Sequence, residues 1–341
     1  MRASSVKVAF AGRIRGNGNT GQPPTLLDHL RRQGVSRRDF LNWCAYTASI
    51  LALPPSASQA IAQALATKPR PSVIWLSIQE CTGCSESILR SFEPTLESLI
   101  FDQFSLDYHH VLQAAAGNAA EQARDRAIEQ NFGKYVLVVD GGIPLDPDGY
   151  YSTTGGKSGR DLVRAAAKGA ALIIAVGTCA TYGGIPAASP NPTGAGGVHD
   201  ALRELIDNKD VAAPIINVPG CPPVPEVMTG VVVYFLTYGK PPDLDNLGRP
   251  LPFFGRTVHD DCPRLPFFNQ GLFAESFDDE GAQRGYCLKD LGCKGPTTFN
   301  ACTTVKWNQK TSFPMFSGHG CLGCAQPKFW DREGGFYGKV F

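Results

Sequence analysis

Eleven cysteines stand in this 341-residue chain, and their spacing is the first place to look for chemistry. "VIWLSIQECTGCSES" puts Cys81 and Cys84, two residues apart, in a loop after an apolar run. Cys179 follows "ALIIAVGT" and Cys221 follows "IINVPG". Further on, "HDDC" sets His259 at x2 spacing from Cys262, and "CLKDLGC" adds Cys287 and Cys293. "CTTVKWNQKTSFPMFSGHGCLGC" supplies Cys302, Cys321 and Cys324, with Pro314 between them. Thiolates in such patterns bind zinc, hold iron–sulfur clusters, cycle as redox pairs or close disulfides. Zinc sites usually arrive as two close pairs. Here one Cys-x2-Cys pair is followed by single cysteines after gaps of 94 and 41 residues. Scattered single ligands fit a cubane better than a zinc ribbon, although spacing alone leaves zinc open. One His and three Cys suffice for a four-iron cluster with one imidazole ligand, and three further thiolates suit a three-iron cluster. Without Cys44, ten cysteines and His259 divide as four, four and three. A disulfide framework would need five pairs and would leave His259 unexplained.

The elements that must position these side chains alternate from Pro71 to about Lys240. Strands are read at Val73–Ile78, "FSLDYHH", "YVLVVDGGIP", "AALIIAVGTCA" and "APIINVPGCPP". Helices are read at "SESILRSFEPTLESLI", broken or kinked at Pro94, then at "AAEQARDRAIEQN", "RDLVRAAAKG" and "PEVMTGVVVYFLTYGK". Strand alternating with helix, with continuous apolar runs as strands, predicts an α/β, doubly wound parallel sheet. Cys81, Cys84, Cys179 and Cys221 then all leave the carboxyl ends of strands, the edge where such sheets bind ligands. After Lys240 the periodicity stops. Pro, Gly and aromatics dominate, and six cysteines lie there. Such a segment predicts a mostly irregular domain stapled by what it binds.

Residues 1–66 read differently. "SRRDFLNWC" is followed by a short apolar stretch that ends at Pro54–Pro55, and Ala64 and Ala66 form a small-x-small cleavage site. The pair Arg37–Arg38 before Phe40 and Leu41 resembles a twin-arginine export signal, with Thr67 as the mature start. The competing reading is an ordinary amphipathic helix from Ser36. Cys44 would leave with the leader. Export argues for disulfides. The twin-arginine route instead carries proteins folded in the cytosol, so their thiols are already bound to metal. The apolar stretch is too short to span a bilayer. With 43% apolar residues the chain can build a core, and a net charge of +1 gives no sign of a nucleic-acid footprint. "TTGGKSG" around Lys157 lacks the first glycine of a phosphate loop. His109, His110 and His199 read as packing or surface residues, and His319 as a neighbour of the Cys321 ligand set.

The motifs "ECTGCSES", "GTCATYGG", "PGCPP", "HDDCPR", "CLKDLGCKGP" and "SGHGCLGC", in this order, resemble the small subunit of nickel–iron hydrogenases. The resemblance runs from about Ser72 to the C-terminus and takes in the leader. It implies a flavodoxin-like domain over 67–240 and an iron–sulfur domain over 241–341. It implies a proximal [4Fe-4S] cluster on Cys81, Cys84, Cys179 and Cys221. A distal [4Fe-4S] would lie on His259, Cys262, Cys287 and Cys293, and a medial [3Fe-4S] on Cys302, Cys321 and Cys324. The nickel–iron centre would belong to a large subunit, the heterodimer partner. This chain would relay electrons to or from an external partner such as a cytochrome or membrane redox subunit. Glu80 would help relay protons. The protein would be periplasmic, held to the inner membrane only through other subunits. Oxygen-tolerant members carry two more cysteines near the proximal cluster, and those positions here are Gly83 and Gly184, which implies an oxygen-sensitive enzyme. Other readings are a lone exported electron carrier, a quinone-reductase subunit with a similar first domain, and a disulfide-stapled binding protein. Visible colour and iron content separate the last, and co-purification of a larger nickel-containing chain separates the first.

Overall fold

Apolar runs with no polar alternation fit strands buried on both faces. In the computed structural model, which describes residues 37–67, 70–92, 104–146, 150–331 and 337–339, five such strands pair in parallel. They are β1 (Ser72–Ser77), β2 (Ser105–His109), β3 (Tyr135–Asp140), β4 (Ala170–Val176) and β5 (Ile215–Val218), in the order β2-β1-β3-β4-β5. That is the flavodoxin-like order, whose switch point lies between β1 and β3. Register aligns the strand ends: Ser77 opposes Asp140, Asp140 opposes Val176, and Val176 opposes Val218. The loops that follow therefore start from one line.

Alternate side chains go to opposite faces. Ile74, Leu76, Leu137, Val139 and Ile173 meet α4 (Gly117–Gln130), α5 (Gly159–Ala167) and α7 (Val198–Asp207). The sequence reading has no helix at 198–207, yet Val198, Ala201, Leu202 and Leu205 give α7 a buried stripe at helical spacing. On the other face, Val73, Trp75, Val138 and Ile174 meet α8 (Pro225–Tyr238) through Val227, Met228 and Val231. α8 stops at Gly239, which adopts the left-handed conformation of a helix end. The helix read after Cys84 is α3 (Gly83–Leu89); its expected kink at Pro94 lies outside the described residues.

The region after Lys240 contributes only short helical turns, such as Leu251–Phe254 and Leu265–Asn269, and isolated bridges. Among the described residues it forms no separate core. Phe253, Phe254, Phe313 and Ala325 join the same apolar cluster as β1, β4 and α8. Burial of such a side chain contributes about 1.5–3 kcal/mol, so packing on the sheet supports this domain in addition to whatever it binds.

Much of the expected leader is helical. α1 (Arg37–Ile50) and α2 (Ala57–Thr67) form a hairpin whose Phe40, Cys44, Ile61 and Leu65 bury against Val233 of α8. Lys310 Nζ sits 3.5 Å from the Tyr46 ring centroid. Residues 1–36 lie outside the described residues. Among the described residues no helix is long and apolar enough to cross a membrane.

Candidate metal centre

The first set of thiols grows from the sheet edge. Beyond β1, Ile78 N–H donates to Asp140 O at 2.8 Å and Gln79 N–H to Gly142 O at 3.1 Å, so the chain stays extended to Cys81. Thr82, at φ 65°, turns it into α3 and carries Cys84 inward. Cys84 Sγ lies 3.8 Å from Val176 O. Beyond β4 the next residue is Gly177, at φ +85°; a Cβ there would stand 2.5 Å from Cys84 Sγ, so only glycine fits. Cys179 sits on a short helix, α6 (Gly177–Tyr182), rather than in a loop. Cys221 follows the turn after β5. The four thiols lie in mutual electrostatic reach: Cys84 senses Cys179 and Cys221, and Cys179 and Cys221 both sense Cys81. Cys81 is exposed, and the other three are half-buried.

Asp140, missed by the sequence reading, ends β3 amid this set. Burial raises its carboxyl to about 7, and it faces Cys84. A carboxylate at the end of a strand beside the switch point is the signal that could have found it. Glu80 is half-buried, its carboxyl raised by burial, with Thr82 Oγ1 donating to it at 3.3 Å.

A second set surrounds a cavity of about 130 Å³ lined by Cys302, Cys321, Cys324, Pro314, Trp307 and Cys221. A third set, His259, Cys262, Cys287 and Cys293, lines one pocket with Arg264. Arg264 donates to Met315 O at 2.8 Å and Tyr286 O at 2.6 Å, which fixes its charge beside these thiols. The His259 ring stands edge-on to Phe268 at 4.6 Å, and burial lowers its pKa, which favours the neutral imidazole that ligates iron.

The sets form a row. Cys221 lines the same cavity as Cys324 and is its electrostatic neighbour. Cys321 N–H donates to Cys293 Sγ at 3.2 Å, and Lys294 N–H returns to Cys321 O at 2.8 Å. The set that comes last in sequence thus touches both others.

The donor chemistry fits iron–sulfur clusters. None of the eleven cysteines is in a disulfide. Among the described residues no three His, Cys, Asp or Glu groups converge on a single ion; the second and third sets ring open space instead. Burial pushes Cys179, Cys221, Cys302, Cys321 and Cys324 up to about 12. These thiols keep their protons until a cation displaces them, so loading releases protons.

The remaining histidines stay out of the sets. His109 is buried: its Nδ1 accepts from Val111 N–H at 3.1 Å, so Nε2–H donates to Ser85 Oγ at 3.2 Å. His110 Nδ1 accepts from Ser77 N–H, and His199 is exposed. His319 stacks on Phe277 at 5.6 Å and bonds Gly320 O through Nδ1. "TTGGKSG" forms a tight two-stranded turn whose Ser158 caps α5.

Comparison with known proteins gives two family matches. Residues 81–235 match "NADH ubiquinone oxidoreductase, 20 Kd subunit", and residues 254–337 match the C-terminal region of the "NiFe/NiFeSe hydrogenase small subunit". The second match is what a quinone-reductase reading lacks. The chain is 50% identical over 316 residues to the uptake hydrogenase small subunit of Afipia carboxidovorans, covering 93% of this chain and 84% of that one. It is 48% identical to the uptake hydrogenase small subunit of Azotobacter vinelandii, covering 93% and 86%. The solved reduced, active form of the Ni-Fe-Se hydrogenase from Desulfomicrobium baculatum superposes with a TM-score of 0.73 at 34% identity, over 80% of this chain and 100% of that one.

Proposed function

Because this chain belongs to the small subunits of nickel–iron hydrogenases, which are oxidoreductases, we propose that it carries electrons between a large-subunit nickel–iron site and an external redox partner. Cys81, Cys84, Cys179 and Cys221 would hold a proximal [4Fe-4S] cluster. Cys302, Cys321 and Cys324 would hold a medial [3Fe-4S], and His259, Cys262, Cys287 and Cys293 a distal [4Fe-4S]. Such groups supply one-electron chemistry when bound. The observation that carries this reading is the row the sets form: Cys221 shares a cavity wall with Cys324, and Cys321 N–H donates to Cys293 Sγ. A row lets charge enter at one end and leave at the other. Cys81, exposed at one end, suits coverage by the large subunit. Glu80 beside it would pass protons across that contact. Export by the twin-arginine route would place the heterodimer in the periplasm, joined to the inner membrane through other subunits.

Anaerobic isolation of the complex tests the reading. A coloured protein with about eleven irons per chain and a larger nickel-containing partner is expected. A colourless, iron-free chain purified alone would refute it.

Two further results are expected. His259→Ala should slow hydrogen-driven dye reduction by about 10–100-fold and leave hydrogen–deuterium exchange, which needs only the nickel site, near normal. Equal loss of both would remove His259 from the exit path. The second concerns air. Gly184 lies at φ +53°, where a Cβ would stand 2.6 Å from Cys179 Sγ; at Gly83 a Cβ would stand 3.1 Å from Cys81 Sγ. Both glycines abut ligand thiols and add no sulfur. The proximal group then has four thiolates and passes one electron, too few to help clear oxygen from nickel. Hydrogen oxidation at an electrode should collapse under low oxygen and recover on reduction. Sustained current would show that tolerance needs no cysteine at these positions.

A further inference from the structure

The first and second ligand sets meet at one side chain that holds no metal. Thr178 directly precedes Cys179, and it is 1% exposed. Its N–H donates to Gly220 O at 2.9 Å, and Gly220 N–H donates back to Thr178 Oγ1 at 3.0 Å. That exchange locks the loop after β4 to the loop after β5, one residue before Cys179 and one before Cys221. The hydroxyl proton then goes to the carbonyl oxygen of Cys324. One oxygen atom therefore joins the start of α6 to the segments before Cys221 and at Cys324, each of which carries a proposed ligand, and two of the three ligands belong to the first set. Among the described residues this is the hydrogen-bonded side chain that bridges both sets without belonging to either. The bridge spans 146 residues of sequence.

We propose that Thr178 is a positioning residue for electron transfer: its hydroxyl fixes the Cys324 loop against the Cys179 and Cys221 loops, and so sets the gap between the groups held on either side. The inference rests on the cluster assignments proposed above. Thr178 itself exchanges neither electron nor proton. With both groups bound, electrons would pass from the first to the second one at a time, two for each hydrogen oxidised on the partner subunit, and on to the terminal acceptor. No bond is made or broken at Thr178.

Valine keeps the shape of threonine and removes the hydroxyl; serine keeps the hydroxyl and removes the methyl. Thr178→Val therefore removes two hydrogen bonds and leaves Gly220 N–H and Cys324 O without this partner, while Thr178→Ser keeps both. Thr178→Val and Thr178→Ser are compared as intact heterodimers purified without air. Four quantities are read: iron content, hydrogen–deuterium exchange, the paramagnetic signal and midpoint potential of the three-iron group, and hydrogen-driven dye reduction. Thr178→Val should keep iron and exchange, alter the magnetic coupling and the potential of the three-iron signal, and lose about tenfold in dye reduction. Thr178→Ser should restore all of these. A Val variant with unchanged signal and dye reduction overturns the proposal, as does a Ser variant as impaired as Val. If Val does not load iron, Thr178→Ala takes its place. Failure of both to load while Ser loads assigns Thr178 a structural role and overturns the positioning one. Absence of any three-iron signal in the unmodified heterodimer would refute the cluster assignments instead, and iron analysis distinguishes the two.

Discussion

Cys81→Ala or Cys221→Ala should abolish hydrogen turnover and remove about four irons per chain. The two residues hang on loops from different strands, β1 and β5, more than one strand apart in the sheet. A single bound group is what would make both substitutions give the same phenotype. Loss of one thiolate leaves three for a four-iron group and leaves their sulfurs without the cation that offsets burial. The fall in turnover should exceed the roughly 10–100-fold cost of losing a supporting contact around a metal. The first domain should also lose thermal stability, because the loops after β1, β4 and β5 are tied together there. Iron analysis, activity and thermal melting read the three effects together. Normal iron with normal activity in either variant would end the assignment of these thiols to one site.

Arg37→Lys combined with Arg38→Lys should strand the protein in the cytosol with its leader attached. Arg38 is exposed on α1, and exposed substitutions usually change stability by no more than about 0.5 kcal/mol. Charge is preserved, but the planar five-donor guanidinium is not. A transport defect would therefore report on recognition of the pair rather than on folding. Fractionation and intact mass decide it. The unmodified protein should start at Thr67 and lie outside the inner membrane; the double variant should keep the full leader inside. A processed double variant in the periplasm would reject the twin-arginine reading.

The sheet was legible because its strands are continuous apolar runs, and the cysteines after them were legible because residue type marks them. α7 was equally marked by Val198, Ala201, Leu202 and Leu205 but sits in a polar setting that hides the stripe. The short helix around Cys179 was not legible, since six residues carry too little pattern. The C-terminal region looked unable to pack, because Phe253, Phe254 and Phe313 share no period; they pack against a sheet made far earlier in the chain. Asp140 and Thr178 lay beyond the reading for a related reason. Asp140 is an ordinary strand end until the register puts it among the thiols, and the partner of Thr178 is a backbone carbonyl that any residue could supply.

The middle of the row is written last along the chain. Ligands for the two ends emerge from the ribosome first, the last of them being Cys293, and only afterwards come Cys302, Cys321 and Cys324. On the cluster assignments proposed above, conduction would be an all-or-nothing property of finishing synthesis. A chain that stops before Cys321 keeps every ligand of both outer groups, yet it has a gap in the centre. Premature termination would then break the circuit rather than shorten it.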